Sequence, residues 1–488
     1  MSFKTINFGR ISAEDEQTYS PELLINGFFD DYGYIDAVRS SEKFLIIGPK
    51  GSGKSAIGSK LELDAQQDLD HESDSTSFVK NHLLENFPYE SFGDILPKRE
   101  GPEITYPESW EFILMVACLN SFIKDNSFDY PRNYKTVFQT LIKLGLLAKD
   151  DKKLTLEKIV KTTTSKQIRA TLKVGIVFSS SQEKITDTKK LYTYLKECFY
   201  SIIVKNKHYI IIDGLDIFLT KGINQLQSIT ALVIAADRMN KTFYRNGMQV
   251  KIIVMCRTDM FERLSKPDKN KIKLSGGIIL DWFQNTPELE STNLAKLINL
   301  RAKLSLGKEI NVFETFLPQY MNSGKSSKKT IQVLFDHTRH LPRDMIMLFK
   351  EIQDHTKEND FASVNDIQTA LGVYSKNYFI GEIKDQLYGF LSNEDIEKIF
   401  QLLAKTGWYR FNITNLEEAI RHDGKFSTMD LDTILNALFN CNAIGNIDRN
   451  TNHVTYKFRN QYAEFNPKQS IVVHYGLQRG LNLNRAKY

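Results

Sequence analysis

The sequence predicts an α/β fold, a parallel sheet covered by helices on both faces, with helical parts inserted into it and appended after it. Three observations point there. The segments Phe44-Leu45-Ile46-Ile47, Tyr209-Ile210-Ile211-Ile212 and Lys251-Ile252-Ile253-Val254-Met255 are apolar without polar alternation, as strands buried on both faces must be. Stretches with helical spacing separate them. The first segment runs straight into a glycine-rich turn and then a helix. Composition agrees: of 488 residues, 41% are hydrophobic, 25% charged and 11% aromatic, which excludes disordered, fibrous and membrane classes. A chain of this length holds roughly two to four domains.

Taken in order, the first strand meets the turn at Gly48, and the next helix carries Ala56, Ile57 and Leu61. The stretch Glu62 to Ser77 is acidic, without lysine or arginine, and reads as a helix end followed by an exposed loop. From about residue 80 to 200 the pattern is mostly helical, as at Trp110, Ile113, Leu114, Ala117 and Cys118. The β-branched run Thr171 to Ser180 is the exception and predicts strands. The apolar run Trp110 to Ile123 is too short to span a membrane and contains Glu111 and Asn120, so it predicts a buried helix. A second strand ends in Asp213, a third in Cys256-Arg257-Thr258-Asp259, and Gly277-Ile278-Ile279-Leu280 is a fourth candidate. Beyond about 285 the pattern turns helical again, and Pro342 in Leu341-Pro342-Arg343-Asp344 opens an apolar helix. Near the end, Ser392-Asn393-Glu394-Asp395 and Ser427-Thr428-Met429-Asp430 fit the S-x-x-D signature of a helix start. A hairpin follows, from Ala443 to Ile447 and from Val454 to Phe458. Helices followed by a hairpin predict a winged-helix-like domain. The predicted division is 1–285 for the α/β core, with a helical insertion at about 62–200, then 286–380 for a helical lid subdomain, and 381–488 for the winged-helix-like end with its basic tail.

Gly48-Pro49-Lys50-Gly51-Ser52-Gly53-Lys54-Ser55 satisfies G-x-x-x-x-G-K-[ST], a P-loop, between an apolar strand and a helix. Glycines let backbone N–H groups turn inward around a phosphate, Lys54 would neutralise its oxygens, and the Ser55 hydroxyl would hold Mg²⁺. Asp213, ending a neighbouring buried strand, would share that magnesium. The residue after it is Gly214, so no acid adjoins it. Asp216 is either the general base or a cap on the next helix. Arg257, at the end of the third strand, is a γ-phosphate sensor, an arginine finger toward a neighbouring subunit, or a surface salt bridge. Arg343, near a helix N-terminus, would report nucleotide state to the helical subdomain.

GPKGSGKS, IIIDGLD, VMCRTD with the following DKNKI…ILDW, and LPRD together resemble the AAA+ and STAND branch of P-loop ATPases, nearest to the origin-recognition-like and bacterial "P-loop ATPase" groups. The resemblance spans roughly residues 28 to 350. It implies a P-loop NTPase sheet, ATP and Mg²⁺ as cofactors, the magnesium role for Asp213, the third-strand sensor role for Arg257 and a second-sensor role for Arg343. It further implies a homo-oligomeric, nucleotide-driven switch that hydrolyses ATP and acts on DNA or in a bacterial antiviral defence assembly. Two departures matter: the missing acid beside Asp213 argues against fast turnover, and about 158 residues separate Ser55 from Asp213, which demands a large insertion.

The partner would be DNA, through the winged helix and a tail from Phe465 to Tyr488 that contains Lys468, Arg479, Arg485 and Lys487 but no acid. That tail is otherwise a solvated terminus. The alternative function is a nucleotide-gated scaffold with little hydrolysis that binds an effector protein. Cys118, Cys198, Cys256 and Cys441 have no C-x-x-C spacing and read as reduced thiols. With no apolar core at the N-terminus, they predict a cytoplasmic protein without a membrane segment. His337 and His340 lack a third metal ligand and read as surface or helix-end residues. Lys266 to Lys273, and Lys325 to Lys329, read as solvated polar segments.

Overall fold

In the computed structural model the described residues are 2–40, 42–70, 76–84, 87–96, 102–125, 127–129, 131, 134–148, 154–177, 184–215, 223–264, 269–323, 326–357, 361–388, 390–426, 430–448 and 450–486. They form two compact units, one of residues 32–49 and 54–280, the other of residues 2–31, 50–53 and 281–486.

The first unit is built on five parallel strands: β1 (Leu45–Gly48), β2 (Ser77–Leu83), β3 (Lys207–Asp213), β4 (Val250–Arg257) and β5 (Gly277–Ile279). Their order across the sheet is β2-β3-β4-β1-β5. The unbroken aliphatic runs in β1, β3 and β4 are buried, because helices cover both faces and leave no side for polar residues. Among those helices, α1 (Lys54–Asp70) follows β1, and α2 (Pro102–Phe122) packs on α3 (Ile223–Arg245). Trp110 of α2, fully buried, donates its indole N–H to the Ser228 carbonyl on α3 at 2.8 Å.

Two local readings are corrected here. The acidic stretch does end a helix at Asp70, but Ser77–Leu83 is the edge strand of the sheet. Its side chains are mostly half-buried, so the sequence there lacks the apolar run that marked the central strands. The β-branched stretch after Thr171 continues a helix, Lys166–Val174, capped by Ser165 and anchored by buried Ile168 and Leu172. Tertiary packing of that apolar stripe outweighs β-propensity. Among the described residues of that run only Ile176–Val177 is extended, paired with Lys184–Ile185, and residues 178–180 lie outside the described residues.

The second unit begins with the N-terminal segment, whose Phe3 and Phe8 join Phe316 and Phe349 in an aromatic cluster. Arg301 on the helix Asn293–Leu306 grips Glu16 with both ends of its guanidinium, and both residues are buried. Helix α4 (Pro342–His355) starts with Pro342 in its first turn, as its fixed φ favours. A helical stretch then runs from Val364 to α5 (Ile380–Leu387) through one π-type turn, Ser375–Phe379, where the Ile380 N–H bonds to the Ser375 carbonyl.

The end of the chain runs α6 (Asn393–Thr406), β6 (Trp408–Phe411), α7 (Ile413–His422), α8 (Leu431–Asn440), β7 (Ile444–Ile447), β8 (Val454–Thr455), β9 (Ser470–Val473) and β10 (Arg485–Ala486). Sheet order is β8-β7-β9-β6-β10, antiparallel except for β6 with β10. Ser392 caps α6 as the S-x-x-D signature predicts. Residues 427–429 lie outside the described residues, and the cap of α8 is Asp430, which accepts from the Thr433 N–H. The expected basic tail is built into this sheet as β9 and β10. Arg479 donates to the backbone and side-chain oxygens of Gln368, so its cation is already committed within the fold.

Candidate functional site

β1 delivers the chain to its loop at Gly48, directly beside Arg257 at the end of β4, and Asp213 ends β3 one strand further on. Strands lie about 4.8 Å apart, so β1 and β3 are roughly 10 Å apart and something must bridge them. The first turn of α1 does so. Ser55 donates its hydroxyl to Asp213 Oδ2 at 2.6 Å, and the Gly214 N–H holds Oδ1 at 2.7 Å. Lys54, buried, donates to the carbonyls of Gly48 and Pro49, each at 3.1 Å. Lysine has three donors, and two are used in shaping the loop. Gly51 and Gly53 adopt φ of +88° and +96°, which any side chain would strain. Ser52 contributes a buried hydroxyl oxygen without a hydrogen-bond partner among the described residues. An orphaned donor in a loop of left-handed glycines, and a carboxylate bonded to a hydroxyl, fit a phosphate and a hard, oxygen-seeking cation.

Arg257 is 5% exposed rather than at the surface. Its fork is bidentate to Asp259, Nε to Oδ1 at 2.9 Å and Nη2 to Oδ2 at 2.7 Å, from the first turn of the following helix. Asp216 lies outside the described residues. The chain therefore has a P-loop NTPase fold with helical domains.

The loop tip, residues 50–53, packs as part of the second unit. There the Trp282 indole donates to the Ser52 carbonyl at 2.9 Å. The Arg343 N–H faces the Gly51 carbonyl at 3.4 Å. A Cβ on Gly51 would meet the Arg343 Cβ at 3.3 Å, so this approach adds a second reason for glycine. Lys50 points its ammonium to Asp385 at 3.0 Å and to Glu382 at 3.5 Å. Sequence reasoning gave Trp282 no role beyond its place in ILDW, and missed Glu382 and a buried pair beside it. Arg339 and Asp344 are almost wholly enclosed: Arg339 Nε and Nη2 bond Asp344 at 2.9 and 2.6 Å, and Tyr378 donates to the same carboxylate at 2.9 Å. Burial by itself would raise the Asp344 pKa, but the Arg339 charge and these hydrogen bonds hold it below its ordinary value. Asp344→Ala would take from Arg339, charged in the interior, both of its short hydrogen-bonded contacts and leave only Glu382 at 3.5 Å. The expected cost is about 3–5 kcal/mol, read as a fall in urea midpoint. A midpoint equal to wild type would mean that Arg339 finds another anion.

Other constellations are structural. Ser121, His208 and Asp125 line up, with Ser121 Oγ 2.8 Å from Nδ1 and Asp125 Oδ2 3.2 Å from Nε2. The imidazole is sealed between the stacked ring of Phe78 and the edge of Phe122, so no substrate reaches it. A cavity of about 660 Å³ opens beside Phe44, Lys207 and Lys251, at the strand ends opposite the phosphate loop. Its Arg39 and Arg245 sit in the last turns of helices, where cations offset the negative helix end. We take the loop, not this cavity, as the functional centre because only the loop combines glycines, lysine and carboxylate. His337 and His340 are at a helix end, as expected, but buried rather than on the surface. Among the described residues no group of three or more His, Cys, Asp or Glu could hold a metal ion, and no helix is long and apolar enough to cross a membrane. All four cysteines are buried thiols, none of them in a disulfide.

Residues 292–380 match the family described as "FunZ-associated C-terminal helical domain". No curated protein sequence matches the chain. Among solved structures, the chain is similar to a Walker-type ATPase of Pyrococcus abyssi, with 10% identity, 93% of this chain and 96% of that one covered, and a TM-score of 0.39. It is also similar to Cdc6p from Pyrobaculum aerophilum, with 10% identity, 96% and 91% covered, and a TM-score of 0.30.

Proposed function

We propose that this chain is an ATP-binding switch that hydrolyses ATP to ADP and phosphate with Mg²⁺. The observation that carries the reading is the 2.6 Å bond from Ser55 to Asp213, which joins the P-loop helix to the acid-bearing strand across 158 residues. Ser55 and Asp213 would hold the magnesium, which screens phosphate charge when bound. Residues Gly48 to Ser55 enclose the phosphates: the loop amides donate to them, and Lys54 supplies the nearest full positive charge. Arg257 is the sensor in its own subunit rather than a finger, since its guanidinium is buried and already aimed by Asp259. Arg343 reports the nucleotide to the helical unit because its amide touches the loop tip. Asp216 is the nearest acid along the chain that could serve as base, and Gly214 beside Asp213 keeps turnover slow. Magnesium-dependent ATP binding, followed by calorimetry, tests this. Lys54→Ala should weaken binding by about 10–100-fold, the worth of one or two charged hydrogen bonds. A wild-type protein indifferent to ATP and magnesium would end the reading.

The α6-β6-α7-α8-β7-β9 order supports a winged-helix-like module, and one observation favours a protein partner for it over DNA. Helix α8 turns Asp432, Thr433, Asn436 and Asn440 to solvent and carries no lysine or arginine. DNA affinity comes mostly from cations that replace counterions at phosphates. We therefore place an effector protein ahead of DNA as the partner of this switch. A bacterial defence assembly is one setting for it. Turnover measured with and without duplex DNA across a salt series should show no stimulation. DNA-stimulated turnover that collapses with added salt would reverse the order.

A further inference from the structure

We propose that the cavity at the strand starts of the first unit is a second binding site, for a small anion in which a phosphate is joined to a flat ring. It shares no residue with the phosphate loop and lies at the opposite ends of the strands. It therefore stands apart from the switch proposed above. Its space, about 660 Å³, falls within the range of about 300–1,000 Å³ usual for small-molecule sites.

Three neighbouring strands open onto it: Lys207 is the first residue of β3, Val250 the first of β4, and Phe44 precedes β1. One wall is a single face of α3. Asp237, Asn240, Lys241, Tyr244 and Arg245 follow helical spacing, and all five line the cavity.

The charges around it do not cancel. Five cations line the cavity against two carboxylates. Two of the five are spent, Arg39 on Asp64 and Lys241 on Asp237, each at 2.6 Å. Lys251 donates to the Val38 carbonyl at 2.5 Å, in the last turn of the helix Tyr34–Ser40. Lys207 and Arg245 are exposed and, among the described residues, have no carboxylate within ion-pair reach. Closing helix ends does not require them. The backbone closes α3, where the N–H groups of Asn246, Gly247 and Met248 bind the carbonyls of Thr242, Tyr244 and Phe243. Lys207 opens a strand.

Burial brings the Lys251 ammonium down to about 8, and the Lys207 charge adds to the fall against the pull of Glu42. Two lysines that repel one another in a hollow are unfavourable until an anion joins them. Tyr244, 89% exposed and next to Arg245, offers a ring face to the flat part of the ligand.

The test titrates naphthyl phosphate against the full chain by fluorescence. Lys207→Gln and Arg245→Gln should each weaken binding about tenfold, the worth of a charged hydrogen bond. Tyr244→Ser should weaken it about threefold to tenfold and leave the binding of methyl phosphate, which has no ring, unchanged. All three side chains are exposed, so the fold does not depend on them. Lys54→Ala should leave naphthyl phosphate binding as it is. A wild-type chain that does not bind the probe overturns the proposal, as does a Lys207→Gln, Arg245→Gln double variant that binds it unweakened. Binding lost in Lys54→Ala alone would place the probe at the phosphate loop, with the same consequence. None of these failures touches the ATP reading, which is tested with ATP and magnesium.

Discussion

Asp213→Asn is expected to lower ATP turnover by roughly 10²–10³-fold while leaving the fold intact. The estimate follows from losing one preorganised charge where charge must be stabilised. An asparagine oxygen can still accept the Ser55 hydroxyl and the Gly214 N–H that now hold the carboxylate at 2.6 and 2.7 Å. Shape and hydrogen bonds survive, and the negative charge that attracts magnesium does not. The loss should therefore shrink as magnesium is raised. Ser55→Ala, which removes one neutral ligand, should cost less. Measured kcat values across a magnesium titration decide the matter. Turnover equal to wild type at low magnesium would mean that the carboxylate serves only to brace α1.

Acid is expected to unfold this protein well above the range where its carboxylates titrate. Five histidines are buried and held far below their ordinary pKa of 6.5: His208 and His337 at about 4, and His82, His340 and His474 at about 3. Burial is the leading cause in each, because a charged ring loses its hydration. Nearby cations add to it, Lys80 for His82 and Arg459 for His340. The folded state thus binds fewer protons than the unfolded chain. Stability from these groups is fully present above pH 6.5 and is lost as pH falls from there toward the folded values. At about pH 5.5 each histidine costs about 1.4 kcal/mol, so five approach a typical domain's whole stability of about 5–15 kcal/mol. Urea midpoints at about pH 7.5 and 5.5 should differ sharply. His340→Asn should relieve part of the acid loss. Asparagine tolerates the φ of +54° found there and takes up no proton. Equal midpoints at the two pH values would show that the rings ionise without opening the fold.

The largest legible features were those in which local chemistry and tertiary role coincide. Aliphatic runs without alternation foretold the central strands, because being covered on both faces removes every reason for a polar residue. G-x-x-x-x-G-K-S foretold a tight glycine turn between β1 and α1, since a φ near +90° favours glycine and the motif carries its own lysine and hydroxyl. Pro342 marked a helix start for the same local reason. The edge strand Ser77–Leu83 was hidden because it is half-exposed and its pattern is weak. Asp216, read as either a base or a helix cap, lies beyond the described residues.

The amino-acid sequence by itself determined the sheet, the phosphate loop and the acid that ends β3, since each is written in consecutive residues. Only the tertiary structure decided who their neighbours are. Glu382 meets Lys50 across more than three hundred positions. Arg479 is spent on Gln368 instead of a free tail, and Arg257 is buried against Asp259. Charge pairing acts through space and leaves no periodic trace along the chain. The cations that the sequence offers to a ligand are therefore known as free or committed only once their carboxylates have been located.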